Sequence, residues 1–430
     1  MRSNYKKLGQ FIQVVDTRNK ENRKDNLLGV STQKVFIDSV ANTVGTDFKK
    51  YKIVRKHQFT YVPDTSRRGD KMGIAMLESL DQALVSQAYT VFEVKDSNQI
   101  DPEYLMMWFR RPEFDRYARF KSHGSVREIF DWQEMCDVEL PVPPIEKQRE
   151  IVREYNVVNN RIALNEQLTQ KLEDTAQALY KQWFVDFEFP ISKEYAQSIG
   201  KPELEGMPYK SSGGEMELCA ELEKDIPLSW RYVSIQTLID SDVLEKNQDG
   251  NHGEIHPKSS EFVESGIPFV MANDVNNGVI DLDSCKFITK ERAEKLRIGF
   301  AKAGDVLITH KATMGRVGIV PEVDDYIMLT PQVTYYRIKD SKQLTKEFLY
   351  CLFSEQGFQH RFCSDGEQST RSYLGITNQR KLQVILPSSD AVSRFSSTVQ
   401  QLLNYKICIV QESCILRKML MLLNSRMSKA

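Results

Sequence analysis

Pro63-Asp64, followed by Glu93-Val94-Lys95, supplies the residue types of a metal-dependent nuclease, in which carboxylates hold a divalent cation and a lysine assists the attacking water. The pattern is degenerate, because the matching stretch of the second half, Arg337-Ile338-Lys339, lacks the acid. His252 and His256 flank a glycine in NHGEIHP and do not share a helix face as an H-E-x-x-H zinc pair does, so a surface loop is the simpler reading and no metal site is expected. The chain has neither a G-x-x-x-x-G-K-[ST] phosphate loop nor a G-x-G-x-x-G turn between strand and helix, which excludes P-loop hydrolysis and a Rossmann cofactor. An amino-methyltransferase needs a glycine loop for S-adenosylmethionine and a [DNS]-P-P-[YFW] run. The one double proline, Pro143-Pro144 in VPPIE, has neither flank.

Two glycine-bearing loops carry cations instead. YVPDTSRRGDKMGIAM presents Arg67, Arg68 and Lys71, and KAGDVLITHKATMGRVGIV presents Lys311, Thr313 and Arg316 between two apolar strands. Arginine and lysine on such loops suit phosphates and guanine edges. An ordinary basic surface hairpin is the bland alternative. Each loop lies in a basic region, 47–71 and 286–318, while the whole chain has a net charge of −1. Two separated basic regions on a neutral chain are consistent with two anion-binding faces.

The loops belong to a repeat. Sliding the chain on itself by 244 places sets VKDSNQI (94–100) on IKDSKQL (338–344), and Thr90, Leu105, Phe109, Phe114 and Arg127 on Thr334, Leu349, Phe353, Phe358 and Arg371. Arg127 and Arg371 join the candidate DNA-binding residues. Upstream, a shift of 245 sets Gly73-Ile74-Ala75 on Gly318-Ile319-Val320 and Lys71 on Arg316. Both copies read as strand, helix and a return strand ending in Leu-Pro, and the period is far too long for a solenoid, so whole domains are duplicated.

Each copy is followed by a helical rod. After Pro144 there is no Gly or Pro as far as Phe184, and Ile151, Tyr155, Val158 and Ile162, then Leu168 and Leu172, form an apolar stripe that Asn165 interrupts. After the second copy, Phe395, Leu402, Ile409, Leu416 and Leu423 recur every seven residues, flanked by Tyr405 and Met419, with Thr398 and Glu412 as polar flaws. Neither rod buries its stripe alone, and an antiparallel pair solves this. The expected organisation is α+β: duplicated α/β domains at 1–143 and 228–387, long helices at 144–189 and 388–430, and a linker at 190–227, flexible at Ser211-Ser212-Gly213-Gly214. The paired helices separate the two domains in a pseudo-two-fold arrangement.

At 430 residues and 41% hydrophobic, the chain can fill more than one core. Its seven scattered cysteines form no zinc quartet, which points to reduced thiols and the cytoplasm. No apolar run spans a bilayer, and no membrane partner is expected.

This order of features resembles the DNA-specificity subunit of Type I restriction-modification systems. The most family-like stretches are LPVPPIEKQREIV running into NEQLTQKLEDTAQALYKQWFVDF, then PYKSSGGEM, GDVLITHKATMGRVGIV and TSRRGDKMGIAM, and the likeness covers the whole chain. SSDAVSRFSSTV departs from the pattern by lacking the PPIEKQ wording at the second helix start. The resemblance implies that each copy is a target-recognition domain reading one half of a split, asymmetric duplex sequence, and that the helices set the spacing of the halves. It also implies two methyltransferase (M) subunits bringing S-adenosylmethionine, restriction/translocase (R) subunits bringing ATP and Mg2+, and no catalysis by this chain. The readings to be discriminated from it are a stand-alone nuclease or methyltransferase and a coiled-coil adaptor without DNA binding.

Overall fold

The computed structural model describes residues 4–39, 45–65, 71–123, 128–364, 366 and 373–427. The chain divides into two compact units, one of residues 1–163 with 413–430, the other of residues 164–412. The division cuts through both long helices, so each unit owns a part of each.

In the first unit, strand Phe59–Tyr61 pairs antiparallel with Ile74–Met76 on one side and Thr90–Val94 on the other, and Ile12–Val15 completes a four-stranded sheet. A second sheet runs Phe36–Asp38, Leu27–Val30, Gln82–Val85, Lys52–Arg55, with only the central pair parallel. The second unit repeats this. Val306–Thr309 pairs with Val317–Ile319 and Val333–Tyr336, and a four-stranded sheet runs Lys286–Ile288, Ile267–Val270, Ile327–Leu329, Phe300–Ala301, again parallel only at its centre. The duplication is therefore present in the ladders as well as in the residues.

The ladders also correct its alignment. Tyr61 faces both Thr90 and Ile74, while Ile308 faces both Thr334 and Val317. With Thr90 on Thr334, Ile74 falls on Val317, two places from the Ile319 that the sequence shift selects. A slip of two keeps every side chain on its face, so apolar patterning alone does not detect it.

After Thr90–Val94 the VKDSNQI turn is held by Asp96, which accepts from Asn98 N at 2.9 Å and Gln99 Nε2 at 3.2 Å; Asp340 accepts identically from Lys342 N at 2.9 Å and Gln343 Nε2 at 3.0 Å. These bonds hold both carboxyls below the usual range. The helix that follows is two helices in each copy: Pro102–Phe109 and Pro112–Lys121, then Lys346–Ser354 and Gln356–Ser364. Pro112 has no N–H and holds Arg111 extended, at φ −78 and ψ 142; in the other copy, Glu355 turns the chain and accepts from Gly357 N and Phe358 N, both at 2.7 Å. Equivalent rings then build each core: Phe92, Phe109 and Phe114 in contact in one, Tyr336, Phe353 and Phe358 in the other, with centroids 4.7–6.1 Å apart.

The long helices are Ile145–Tyr180, closed by a wider turn at Lys181–Val185, and Ser389–Arg426. Within the second unit they run antiparallel: Asn165 bonds Glu412, Glu173 bonds Lys406, and Trp183 contacts Phe395, so numbers rise on one helix as they fall on the other. Two of the three polar flaws of the stripes meet each other, Asn165 Nδ2 donating to Glu412 Oε2 at 2.7 Å. In the first unit Val152, Tyr155 and Met427 share one core, with Ile151 and Leu420 against it.

The seam of the second helix departs from the seven-residue reading. Tyr155, Val158, Ile162 and Ile409 are buried, and Leu168, Leu172, Leu402, Leu416 and Leu423 only half-buried. The buried line runs Val392, Phe395, Val399, Leu403, Lys406, Ile409, Ser413, while Tyr405, Thr398 and Met419 are exposed. A straight helix of 3.6 residues per turn drifts off a strict seven-residue repeat, which moves the seam from Leu402 to Leu403.

The stretch expected as a flexible linker is folded. It forms a helix Lys193–Ser198 and a hairpin of Met216–Cys219 with Lys224–Pro227. Phe189 stacks on Tyr209 at 4.5 Å and on Trp230 at 4.9 Å. Gly214 allows this, because a Cβ there would lie 2.4 Å from the Tyr209 ring, and Ser211 is tied to Glu188 at 3.1 Å. Aromatic residues spaced along the segment, rather than its Ser-Ser-Gly-Gly run, decide its state.

Candidate nucleic-acid interface

Each unit carries one basic loop on its central hairpin. In the first unit the loop leaves Tyr61 and returns at Ile74, closed by Val62 N to Gly73 O at 2.9 Å and by Thr65 N to Glu128 O at 3.0 Å. Lys71 is exposed at its return. Arg67, Arg68 and Arg127 lie outside the described residues, as does Arg371 of the second unit. In the second unit the loop is shorter, leaving Thr309 and returning at Val317, with Thr309 N to Arg316 O at 2.9 Å and Gly315 N to Thr309 O at 2.8 Å.

Register equates Asp64 with Lys311. Each makes an isolated antiparallel bridge to the same place in its own copy, Asp64 to Ile129 and Lys311 to Tyr373, and Phe130 N to Pro63 O at 2.9 Å matches Leu374 N to His310 O at 3.0 Å. One loop thus starts with a carboxylate where the other starts with an ammonium. Lys311 is exposed, its Nζ 5.8 Å from the Tyr373 ring centre, and Thr313 is half-buried.

The second helix of each copy pins the loop from one position. Asp115 Oδ1 accepts from Met72 N at 2.9 Å, and its counterpart Gln359 donates to Gly315 O at 2.9 Å. Gly315, at φ 82, is required here, since a Cβ would lie 2.2 Å from Gln359 Oε1. Arg316 is half-buried, its Nη1 donating to Oδ1 of the exposed Asn276 at 2.6 Å, so Lys311 is the more exposed of the two cations of the second loop. Lys71 and Arg316, matched by the 245 shift, are not equivalent: Arg316 stands where Gly73 does. Asp115 and Gln359 escaped sequence reasoning because nothing ties a helix residue to a loop 43–44 places away, although the 244 shift does align them.

The nuclease pattern does not assemble. Glu93 is bonded by Gln13 and Gln58, both at 2.8 Å, which places it beside residue 58, six residues down the strand from Asp64 and on the order of 20 Å away. Lys95 Nζ donates to Gly9 O at 3.0 Å. Among the described residues no group of three His, Cys, Asp or Glu side chains is placed to hold a metal ion, and no helix is long and apolar enough to cross a membrane.

The model of the Type I restriction modification DNA specificity domain matches residues 3–174 and again 240–413. The chain belongs to that family. Its part is DNA recognition, and a stand-alone nuclease, methyltransferase or adaptor is not supported. It is 23% identical over 436 residues to the Type I restriction enzyme HindI specificity subunit of Haemophilus influenzae, covering 91% of each chain. It is 26% identical over 326 residues to the MjaIX specificity subunit of Methanocaldococcus jannaschii, covering 74% of this chain and 66% of that protein. The solved S subunit of a Type-I restriction-modification system from M. genitalium shares its fold, with a TM-score of 0.53, 11% identity and coverage of 98% and 95%.

Within this specificity subunit, His310 is the titratable group at the root of the second loop. It is fully buried, and its Nε2 is 3.8 Å from Asp249 Oδ2, which His252 Nε2 approaches at 2.8 Å. Burial pushes the imidazole down to about 4; Asp249 and the Leu374 backbone oppose this, while His252 and Lys311 add to it. The folded state therefore favours the neutral ring, whose stabilisation is complete above the unfolded value near 6.5 and is lost as pH falls toward 4, on the order of 3 kcal/mol in all. Lowering pH from 7 to 4.5 is expected to reduce the urea midpoint more in the native chain than in His310→Leu, and parallel decreases would contradict this assignment.

Proposed function

We propose that the chain reads a bipartite, asymmetric DNA site, one part by the 62–73 loop with its Arg67, Arg68 and Lys71, the other by the 310–316 loop with Lys311 and Thr313. The carrying observation is that two units with the same ladder registers differ at their loops, in length and in the Asp64/Lys311 exchange. Shared scaffolds with unlike loops recognise unlike sequences from equivalent positions. The long helices would hold the two readers at a fixed separation and dock methyltransferase subunits, two of them by the symmetry of the duplication. Those partners would bring S-adenosylmethionine, and restriction/translocase subunits ATP and Mg2+, in the cytoplasm.

Mapping methylated adenines in host genomic DNA tests this. A two-part motif with a fixed gap is expected, absent when the gene for this chain is deleted. Alanine at Arg67 and Arg68 should weaken or relax one part of the motif, and alanine at Lys311 and Thr313 the other. Adenine methylation that survives the deletion unchanged would refute the reading.

A further inference from the structure

The first unit contains a cationic pocket of about 400 Å³ at the foot of its loop. Lys34 forms its floor: the side chain is 5% exposed, with Nζ 2.8 Å from Asp115 Oδ1 and donating to the Phe109 carbonyl. Lys71, Arg110 and Arg116 stand around it, so four cations face the one carboxylate of Asp115, which already accepts from Met72 N. Glu113 and Glu78 approach only from outside, 3.7 Å from Arg116 and 3.4 Å from Arg110, each about half exposed. The ten-residue helix Pro112–Lys121 begins at the pocket; Arg111 does not cap it, and in its first turn the Glu113 carboxylate accepts from its own amide. Burial holds Lys34 below the ordinary lysine range; Asp115 opposes the shift, but Lys71 and Arg110 deepen it, so the positive field is not neutralised from within.

The duplication shows that the scaffold does not need these charges. The 244 shift places Ser354, Gln359 and His360 at the positions of Arg110, Asp115 and Arg116, and the ladders place Met314 at that of Lys71. The second unit has a pocket of about 380 Å³ beside Ser354 that is lined by two other cations, Arg316 and Lys406, the latter bonded to Glu173. The fold and the pinned loop survive without Lys71, Arg110 and Arg116, so holding the loop does not explain these three.

We propose that this pocket seats one phosphodiester of the DNA backbone, with Lys71 and Arg116 as its outer contacts and Lys34 beneath. The proposal rests on the DNA-recognition reading and deepens it: the contact fixes the position of the strand beside the loop and carries no sequence information itself.

Binding of a fixed duplex to the full chain, alone and with its methyltransferase partner, is followed by fluorescence anisotropy from 50 to 200 mM salt. Lys71→Ala/Arg116→Ala is expected to lower the slope of log affinity against log salt by about 0.9, so that it loses roughly threefold less affinity over that range than the native chain. Lys71→Arg should restore the Lys71 share, and Lys193→Ala, on an exposed helix of the second unit, should change nothing. An unchanged slope and affinity in the double variant, with the native chain binding normally, overturns the phosphate seat and leaves the DNA reading standing. No salt-dependent binding by the native chain in either form overturns both. Inorganic phosphate at constant ionic strength provides the remaining arm: if the variant alters only phosphate-induced thermal stabilisation and leaves the DNA slope intact, the pocket takes free anion and the proposal fails.

Discussion

Glu173→Leu is expected to destabilise the second unit by about 3 kcal/mol, because it strands a buried ammonium. Lys406 Nζ bonds Glu173 Oε2 at 2.5 Å and Tyr350 OH at 2.9 Å, and the lysine side chain is 3% exposed. Tyr350 OH also donates to Glu173 Oε2 at 2.7 Å, and burial beside that carboxylate raises the phenol well above its ordinary range, so it stays a protonated donor. With the carboxylate gone, a charge inside a helix seam keeps one neutral partner, and desolvation is no longer offset. The lower end of the range for a broken buried pair applies, since Glu173 retains 21% exposure. Glu173→Leu/Lys406→Met should recover most of the loss, an apolar pair replacing an ionic one. Thermal unfolding of the two variants decides the matter: equal losses in single and double would mean the pair is uncoupled.

The second large effect is expected at Gln379→Met, which installs the residue found at the equivalent position of the first copy, Met135. Gln379 is fully buried; its Oε1 accepts from Tyr336 OH at 2.8 Å, and its Nε2 donates to Leu374 O at 2.8 Å and Thr334 Oγ1 at 3.2 Å. Removing it leaves a buried hydroxyl and a buried carbonyl without that partner, at about 3 kcal/mol in total. The first copy avoids this because Phe92 stands where Tyr336 does. Tyr336→Phe should therefore cost less when Gln379→Met is already present than in the native chain. A double-mutant cycle in urea measures that coupling, and strictly additive losses would show that the two substitutions between the copies are unrelated.

That exchange shows how the copies diverged while keeping one frame. Phe92 and Met135 are buried at the positions of Tyr336 and Gln379, one pair apolar and the other hydrogen-bonded. The loops diverged differently. There Asp64 and Lys311 differ in charge at one backbone position without disturbing the bridge beneath either.

The duplication and the helical rods were legible in the sequence because they rest on local chemistry, and the recognition class because the order of motifs resembles a known family. The Asp96 and Asp340 turns are closed by residues two and three places on, and the stripes of the long helices follow from the helical period. Register and burial were not legible. A two-residue slip leaves strand alternation unchanged, so only the ladders could set Ile74 on Val317 and thereby Asp64 on Lys311. A drift of one residue moved the seam to Leu403. The bond of Arg316 to Asn276, forty residues earlier in the chain, was not legible either. The sequence by itself determined the duplication and the two rods, because repeats and periods survive in one dimension. Which cations face solvent, and which carboxylates and amides hold them, only the tertiary structure decided, because partners distant in sequence are chosen by packing.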